Sequence, residues 1–162
     1  MAVNTERLFK LLNSRGVSGD ESEIRAAITE IVRPLCDDIT VDTMGNLFAH
    51  KKGSGKSNVR AMVCAHMDEV GLIVSWFRDD GLLEYDTVGG IDPRVLVSKR
   101  VKIGKNNVPG VIGAKAIHLQ SEAEYHSVLG HDRLHIDIGA SSAEEAKKLV
   151  KLGDYVVFDT EP

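Results

Sequence analysis

Between residues 70 and 158 the chain breaks into short β-like runs separated by turn residues, and this rhythm limits what it can build. The runs are residues 70–77, 82–88, 95–103, 108–112, 134–138 and 155–158, punctuated by Gly81, Gly89-Gly90, Asp92-Pro93, Asn106-Asn107 and Gly139. Strands this short and this closely spaced predict a small closed barrel or a sandwich. One helix interrupts them. It starts at Ser141 or Ser142 with Glu144 and Glu145 in its first turn, runs through Leu149 and Val150, and stops at Gly153.

Before residue 70 the pattern differs. Leu8, Phe9, Leu11 and Leu12 follow Asn4 or Thr5 as an N-cap and precede Gly16 as a stop, which predicts a short helix. Ser18 and Glu21 stand at capping-box spacing ahead of Ile24, Ala27, Ile28, Ile31 and Val32, a second helix with one buried face that Pro34 ends. Residues 39–42 and 47–50 read as paired strands around a Met44-Gly45-Asn46 turn, and residues 52–58 as a polar loop. Residues 59–65 are apolar except for Arg60, which predicts a strand covered on both faces in a mostly parallel sheet. The boundary between the two regions falls near residues 68–70.

Composition excludes several functions. With 43% hydrophobic and 27% charged residues, the 162-residue chain is globular. A formal charge of -4 and 5% aromatics leave neither a basic footprint nor a stacking surface for nucleic acid. No apolar run approaches the ~18 residues a membrane span needs, and the opening MAVNTERLFK is charged and amphipathic, unlike a signal peptide. Cys36 and Cys64 lack CxxC spacing and read as two reduced thiols of a cytoplasmic protein.

The segment that carries chemistry is Ala65-His66-Met67-Asp68-Glu69-Val70-Gly71. Two residues apart on a strand, His66 and Asp68 share a face, and α/β sheets place their ligands at the carboxyl ends of such strands. A neutral imidazole there can bind zinc or cobalt while a carboxylate fixes its tautomer. The spacing alone equally suits a polar strand end with a satisfied histidine. His126, His131 and His135 fall across a loop and a strand start with no shared face, so they read as exposed or partly packed, and His118 as packed. Glu69 points away from the pair. Gly53-Ser54-Gly55-Lys56-Ser57 lacks phosphate-loop spacing and reads as a hairpin.

Several collinear blocks add to this. AHMDEVGLIV, VGGIDPRVLVSKRVKI, Pro109-Gly110-Val111-Ile112-Gly113 before Ile117-His118-Leu119, LHIDIGA at 134–140 and GDYVVF at 153–158 resemble the M42 metalloaminopeptidases, as do SGDESEIRAAI and DTMGNLFA earlier. The resemblance implies the opening part of an α/β metallopeptidase catalytic domain (residues 1–69), an inserted small β-barrel or PDZ-like dimerisation domain (70–159), and the start of the return to the catalytic domain (160–162). It implies that His66 is a metal ligand and that Asp68 is the catalytic-site carboxylate orienting its ring. It further implies two divalent cations, zinc or cobalt, peptide substrates, and a homo-oligomer built through residues 70–159. An older endoglucanase label attached to some members finds no support here, because no carboxylate pair stands out for glycoside hydrolysis.

The same resemblance marks what is missing. The bridging aspartate, the adjacent glutamate base and ligand, a further acidic ligand and a second histidine of that family follow the inserted domain, and no counterpart to them appears in these 162 residues. Two neighbouring cations need several anionic ligands, so the chain alone is expected to be inactive. Its uncovered sheet edge and apolar face are expected to meet a separately encoded C-terminal half, another copy, or a rearranged pairing. The non-enzymatic alternative is a truncated module that only self-associates.

Overall fold

The computed structural model describes residues 4–55 and 58–160. They form two compact units that divide between Glu69 and Val70: an α/β region, then a closed six-stranded barrel.

In the first unit, Asn4 caps α1 (Thr5–Leu12) by accepting the Arg7 N–H at 3.0 Å, one of the donors every helix start leaves unsatisfied. Leu8, Phe9 and Leu12 remain exposed, and α1 buries none of its residues. Helix α2 (Ser22–Val32) turns Ile24 and Ala27 inward, and Pro34 sits in the 3-10 turn Arg33–Leu35 that ends it. Strands β1 (Asp38–Val41) and β2 (Leu47–His50) form an antiparallel hairpin. Its turn is built by Asp42, whose carboxylate accepts the N–H groups of Met44 and Asn46 at 3.0 and 2.8 Å. Gly45 supplies the left-handed φ of +87° that the turn requires.

Two expectations fail in this unit. Ser18 and Glu21 do not form a capping box: α2 starts after Glu21 with no side-chain cap, and the Glu21 carboxylate accepts from the Gly19 N–H at 2.6 Å. Residues 59–65 form no strand, and Val59, Met62 and Val63 are among the most exposed side chains. A strand exists only through its ladder partners, and neither sheet of the structure takes up this run. The phosphate-loop look-alike at 53–57 lies partly outside the described residues.

The second unit contains β3 (Gly71–Phe77), β4 (Leu83–Val88), β5 (Arg100–Ile103), β6 (Val108–Ala114), the short helix α3 (Glu122–Tyr125), β7 (Leu134–Asp137), α4 (Ala143–Leu149) and β8 (Tyr155–Phe158). The strands close in the order β3-β4-β7-β6-β5-β8, all neighbours antiparallel. Closure leaves no open edge to template aggregation. The period-2 pattern sends Leu72 and Val74, Leu83 and Tyr85, Val101 and Ile103, and Leu134 and Ile136 into one core, which Leu96 and the α4 residues Ala143 and Ala146 complete. A bulge between Val74 and Trp76 shifts the β3–β4 register and leaves Trp76 exposed.

The run expected at 95–103 is a strand only over Arg100–Ile103. Asp92 explains the difference. Its side chain accepts the Arg94 N–H at 2.9 Å and starts a 3-10 turn, Pro93–Val95, that drops Leu96 into the core. Ser98 then adopts a φ of 64°, which no strand tolerates. No helix of the described residues is long and apolar enough to cross a membrane.

Helix α3 is too short to show a periodicity in the sequence. It rests on a capping box in which Ser121 accepts the Glu124 N–H at 3.3 Å and Glu124 accepts the Ser121 N–H at 2.7 Å, with the Lys115 ammonium 3.0 Å away. The backbone N–H of Ser121, then Lys115 and the Ser121 hydroxyl, hold the Glu124 carboxyl down at about 2. A lowered folded-state pKa stabilises above the unfolded value and is lost as pH falls through the folded one. The Glu124 carboxyl carbon should therefore titrate near pH 2 by 13C NMR, with α3 loosening as it does. Lys115→Ala should move the midpoint up toward the usual glutamate range, and an unshifted midpoint would count against this network.

Candidate functional site

Two distant stretches of the first unit meet at a tight turn. The Asp20 N–H bonds the Val17 carbonyl at 2.8 Å, and Gly19 has a φ of +95°. A positive φ at the third of four positions is what a type II turn demands, and glycine adopts it without a steric penalty. The turn places Ser18 at its tip side, while Val17 is only 1% exposed. Beside it, the Glu69 N–H bonds the Gly16 carbonyl at 2.7 Å and Val17 forms a parallel bridge with Glu69. Gly16 permits the approach: a Cβ there would lie 2.7 Å from the Ile24 side chain and 3.3 Å from the Met67 carbonyl oxygen.

This pairing sets residues 66–68 against the turn. His66 Nδ1 lies 3.2 Å from Asp68 Oδ1 and 3.0 Å from the Asp68 backbone oxygen. Two acceptors face one ring nitrogen, so the hydrogen-bond network assigns the proton to Nδ1. Nε2 then keeps its lone pair on a side chain that is 86% exposed. The other carboxylate oxygen, Asp68 Oδ2, accepts the Ser18 hydroxyl. That hydroxyl, ahead of the Asp68 N–H and His66, holds the Asp68 carboxyl below its ordinary range against a smaller opposing effect of burial.

The pair expected from H-x-D thus forms, though from an irregular segment and not from a strand face. Ser18 is the member that sequence reading assigned elsewhere. Glu69 joins the turn through its backbone, and partial burial raises its carboxyl. The remaining histidines do not converge. His131 Nε2 donates to the Ile91 carbonyl at 3.0 Å, with the Tyr85 hydroxyl 3.5 Å from Nδ1. Arg78 reaches His135 Nε2 at 3.4 Å, and His126 stacks edge-on against Tyr125. His118 is exposed, which overturns its expected packing: it sits in the 3-10 turn Ile117–Leu119, whose neighbours Ile117 and Leu119 are also exposed. Cys36 and Cys64 are free thiols.

Among the described residues, no group of three or more His, Cys, Asp or Glu side chains could hold a metal ion. What this chain's donors fit is a single ligand position: one neutral imidazole nitrogen, with its ring braced from behind. Metal-binding histidines share that arrangement, donating the second ring N–H to a carboxylate or carbonyl.

The sequence pattern of the M42 glutamyl aminopeptidases matches residues 45–162. The chain belongs to this family. A protein of Acetivibrio thermocellus whose name calls it a candidate aminopeptidase is 46% identical over 160 residues, covering 96% of this chain and 46% of its own length. The crystal structure of a TET aminopeptidase from a marine sediment thaumarchaeon superposes with a TM-score of 0.87 at 34% identity, covering 95% of this chain and 44% of that one. The TET1 peptidase of Pyrococcus horikoshii, described as assembling into a tetrahedron or a large octahedral shell, superposes with a TM-score of 0.82 at 39% identity, covering 96% and 46%. The M42 chain described here therefore spans less than half the length of the curated relatives it matches.

Proposed function

We propose that this chain contributes one ligand and its positioning carboxylate to the two-cation centre of an aminopeptidase acting on the N-termini of peptides. His66 would bind zinc or cobalt through Nε2, and Asp68 would hold the ring in the tautomer that leaves Nε2 free. The observation that carries this reading is the His66 Nδ1–Asp68 contact, on a side chain that is 86% exposed. When bound, such ions polarise the scissile carbonyl and lower the pKa of water. The remaining ligands and the general base come from polypeptide outside these 162 residues, either further sequence of a longer protein or a second chain.

Surface chemistry supports that division. Leu8, Phe9, Leu12, Phe48, Met62 and Val63 are all exposed in the first unit, apolar side chains open to a covering partner. The complementary half would cover it. Residues 1–69 are read as the start of the catalytic domain, residues 70–159 as the dimerisation domain and residues 160–162 as the return. The two free thiols fit a cytoplasmic setting. A second reading, a non-catalytic oligomerisation module, is favoured by one observation: the barrel closes around a core that runs from Leu72 to Val156.

The test is hydrolysis of an aminoacyl-anilide with added Co²⁺ or Zn²⁺. This chain alone should show no turnover above the metal blank. Mixed with a polypeptide supplying the remaining M42 sequence, it should gain activity. His66→Ala should then remove at least about 100-fold of it, because loss of an outer-shell partner alone costs 10–100-fold, the range expected for Asp68→Asn. Robust turnover by the chain alone would show that the centre is assembled differently, and a complemented enzyme indifferent to His66→Ala would sink the ligand assignment.

A further inference from the structure

We propose that Ser18 is a positioning residue for the His66 imidazole, acting through the carboxylate of Asp68. The inference rests on the reading of His66 as a metal ligand and extends it to a residue fifty positions from Asp68.

A carboxylate braces an imidazole only if its own plane is fixed. The terminal torsion of aspartate is broad and roughly two-fold, and neither partner here is locked by burial, with the His66 side chain 86% and the Asp68 side chain 38% exposed. Each carboxylate oxygen has one side-chain partner: Oδ1 faces His66 Nδ1, and Oδ2 accepts the Ser18 hydroxyl. Ser18 is itself held on both sides, by Val17, which is only 1% exposed, and by Gly19 with its turn φ of +95°. The Gly16–Glu69 hydrogen bond and the Val17–Glu69 bridge fix the two stretches in register. Rigidity thus passes from a buried valine through a hydroxyl and a carboxylate to a ring that solvent would otherwise leave free.

A structural task for the same hydroxyl was available and is not taken. The spacing to Glu21 suits a capping box, yet α2 begins without a side-chain cap and Glu21 turns to the Gly19 N–H. The Ser18 hydroxyl is therefore committed to Asp68.

The decisive measurement is the His66 ring tautomer, read by long-range 1H–15N NMR on this chain at mildly alkaline pH. The unaltered chain should show the proton on Nδ1. Ser18→Ala should give a mixture with the Nε2–H form, and Ser18→Thr, which keeps the hydroxyl on a half-exposed residue, should restore the Nδ1–H form. A zinc titration followed at His66 Nε2 should show affinity about 10-fold weaker for Ser18→Ala, the lower end of outer-shell effects, and near-unchanged for Ser18→Thr. The Glu69 amide shift reports whether the turn survives in each variant. If Ser18→Ala keeps the Nδ1–H form, or Ser18→Thr loses it with the turn intact, the role of Ser18 is overturned while the ligand reading stands. If the unaltered chain already lacks the Nδ1–H form, the His66–Asp68 pairing beneath both readings fails.

Discussion

Gly81→Ala is expected to destabilise the barrel by roughly 2–5 kcal/mol, combining the cost of a left-handed backbone for an L-residue, about 1–2 kcal/mol, with overpacking of about 1–3 kcal/mol. The residue has a φ of +86°, and a Cβ there would lie 2.2 Å from the Ala140 carbonyl oxygen, 2.6 Å from its carbon and 2.9 Å from the Ser142 nitrogen. All three are backbone atoms, and Ser142 is the N-cap of α4, so the clash cannot be relieved by a rotamer change. Gly139 provides the control. It has a similar φ of +78° with nothing near its absent side chain, so Gly139→Ala should cost only the backbone strain. In urea, where the slope is about 1–3 kcal/mol/M for small proteins, the midpoint should fall by roughly 1–3 M for Gly81→Ala and clearly less for Gly139→Ala. Trp76, the single tryptophan of the chain and a β3 residue, reports on the barrel directly. Equal shifts for the two variants would show that the close approach to Ala140 contributes nothing.

Ile136→Ala should lower barrel stability by roughly 2–5 kcal/mol, the range for large-to-small changes in packed cores. Ile136 is fully buried, and among the described residues it holds the one register position that joins β4 to β7, opposite Leu83. Its Cγ2 also lies 2.9 Å from where a Cβ would stand on Gly110 in β6, so the side chain fills space that the neighbouring strand leaves empty for it. With whole domains worth only about 5–15 kcal/mol, the variant should be near its folding threshold. Val111→Ala, on an exposed face of β6, should stay within about 0.5 kcal/mol. A tolerant Ile136→Ala, with an unchanged urea midpoint, would mean that the β4–β7 seam is held by other contacts.

The barrel was legible because its signals are local. Alternation with Gly, Asn and Pro punctuation marks β3, β4, β6, β7 and β8 to within about two residues. The exception at 95–99 has a local cause as well, since Asp92 caps a 3-10 turn that apolar content alone does not reveal. Residues 59–65 failed for the opposite reason: an apolar run records a readiness to be covered, and pairing depends on what lies alongside. The S-x-x-E spacing shows the limit most clearly. At Ser121–Glu124 it makes a full capping box, and at Ser142–Glu145 the serine caps the helix. At Ser18–Glu21 it does neither, because the Asp68 carboxylate competes for the hydroxyl from fifty residues away. His66 and Asp68 could be picked out from two positions of sequence, whereas their third member depended on a turn geometry that no spacing rule contains.

In the barrel, β3 and β8 are the first and last strands, yet they lie side by side, with Leu72 opposite Val156. Adjacent strands are ~4.8 Å apart, so entry and exit occupy nearly one point in space. Residues 71–158 can therefore be spliced into a surface loop of a host domain as a cassette, without prying the host's flanking residues apart and with little closure entropy lost. Domain grafting at that single doorway needs neither a long linker nor a redesigned host.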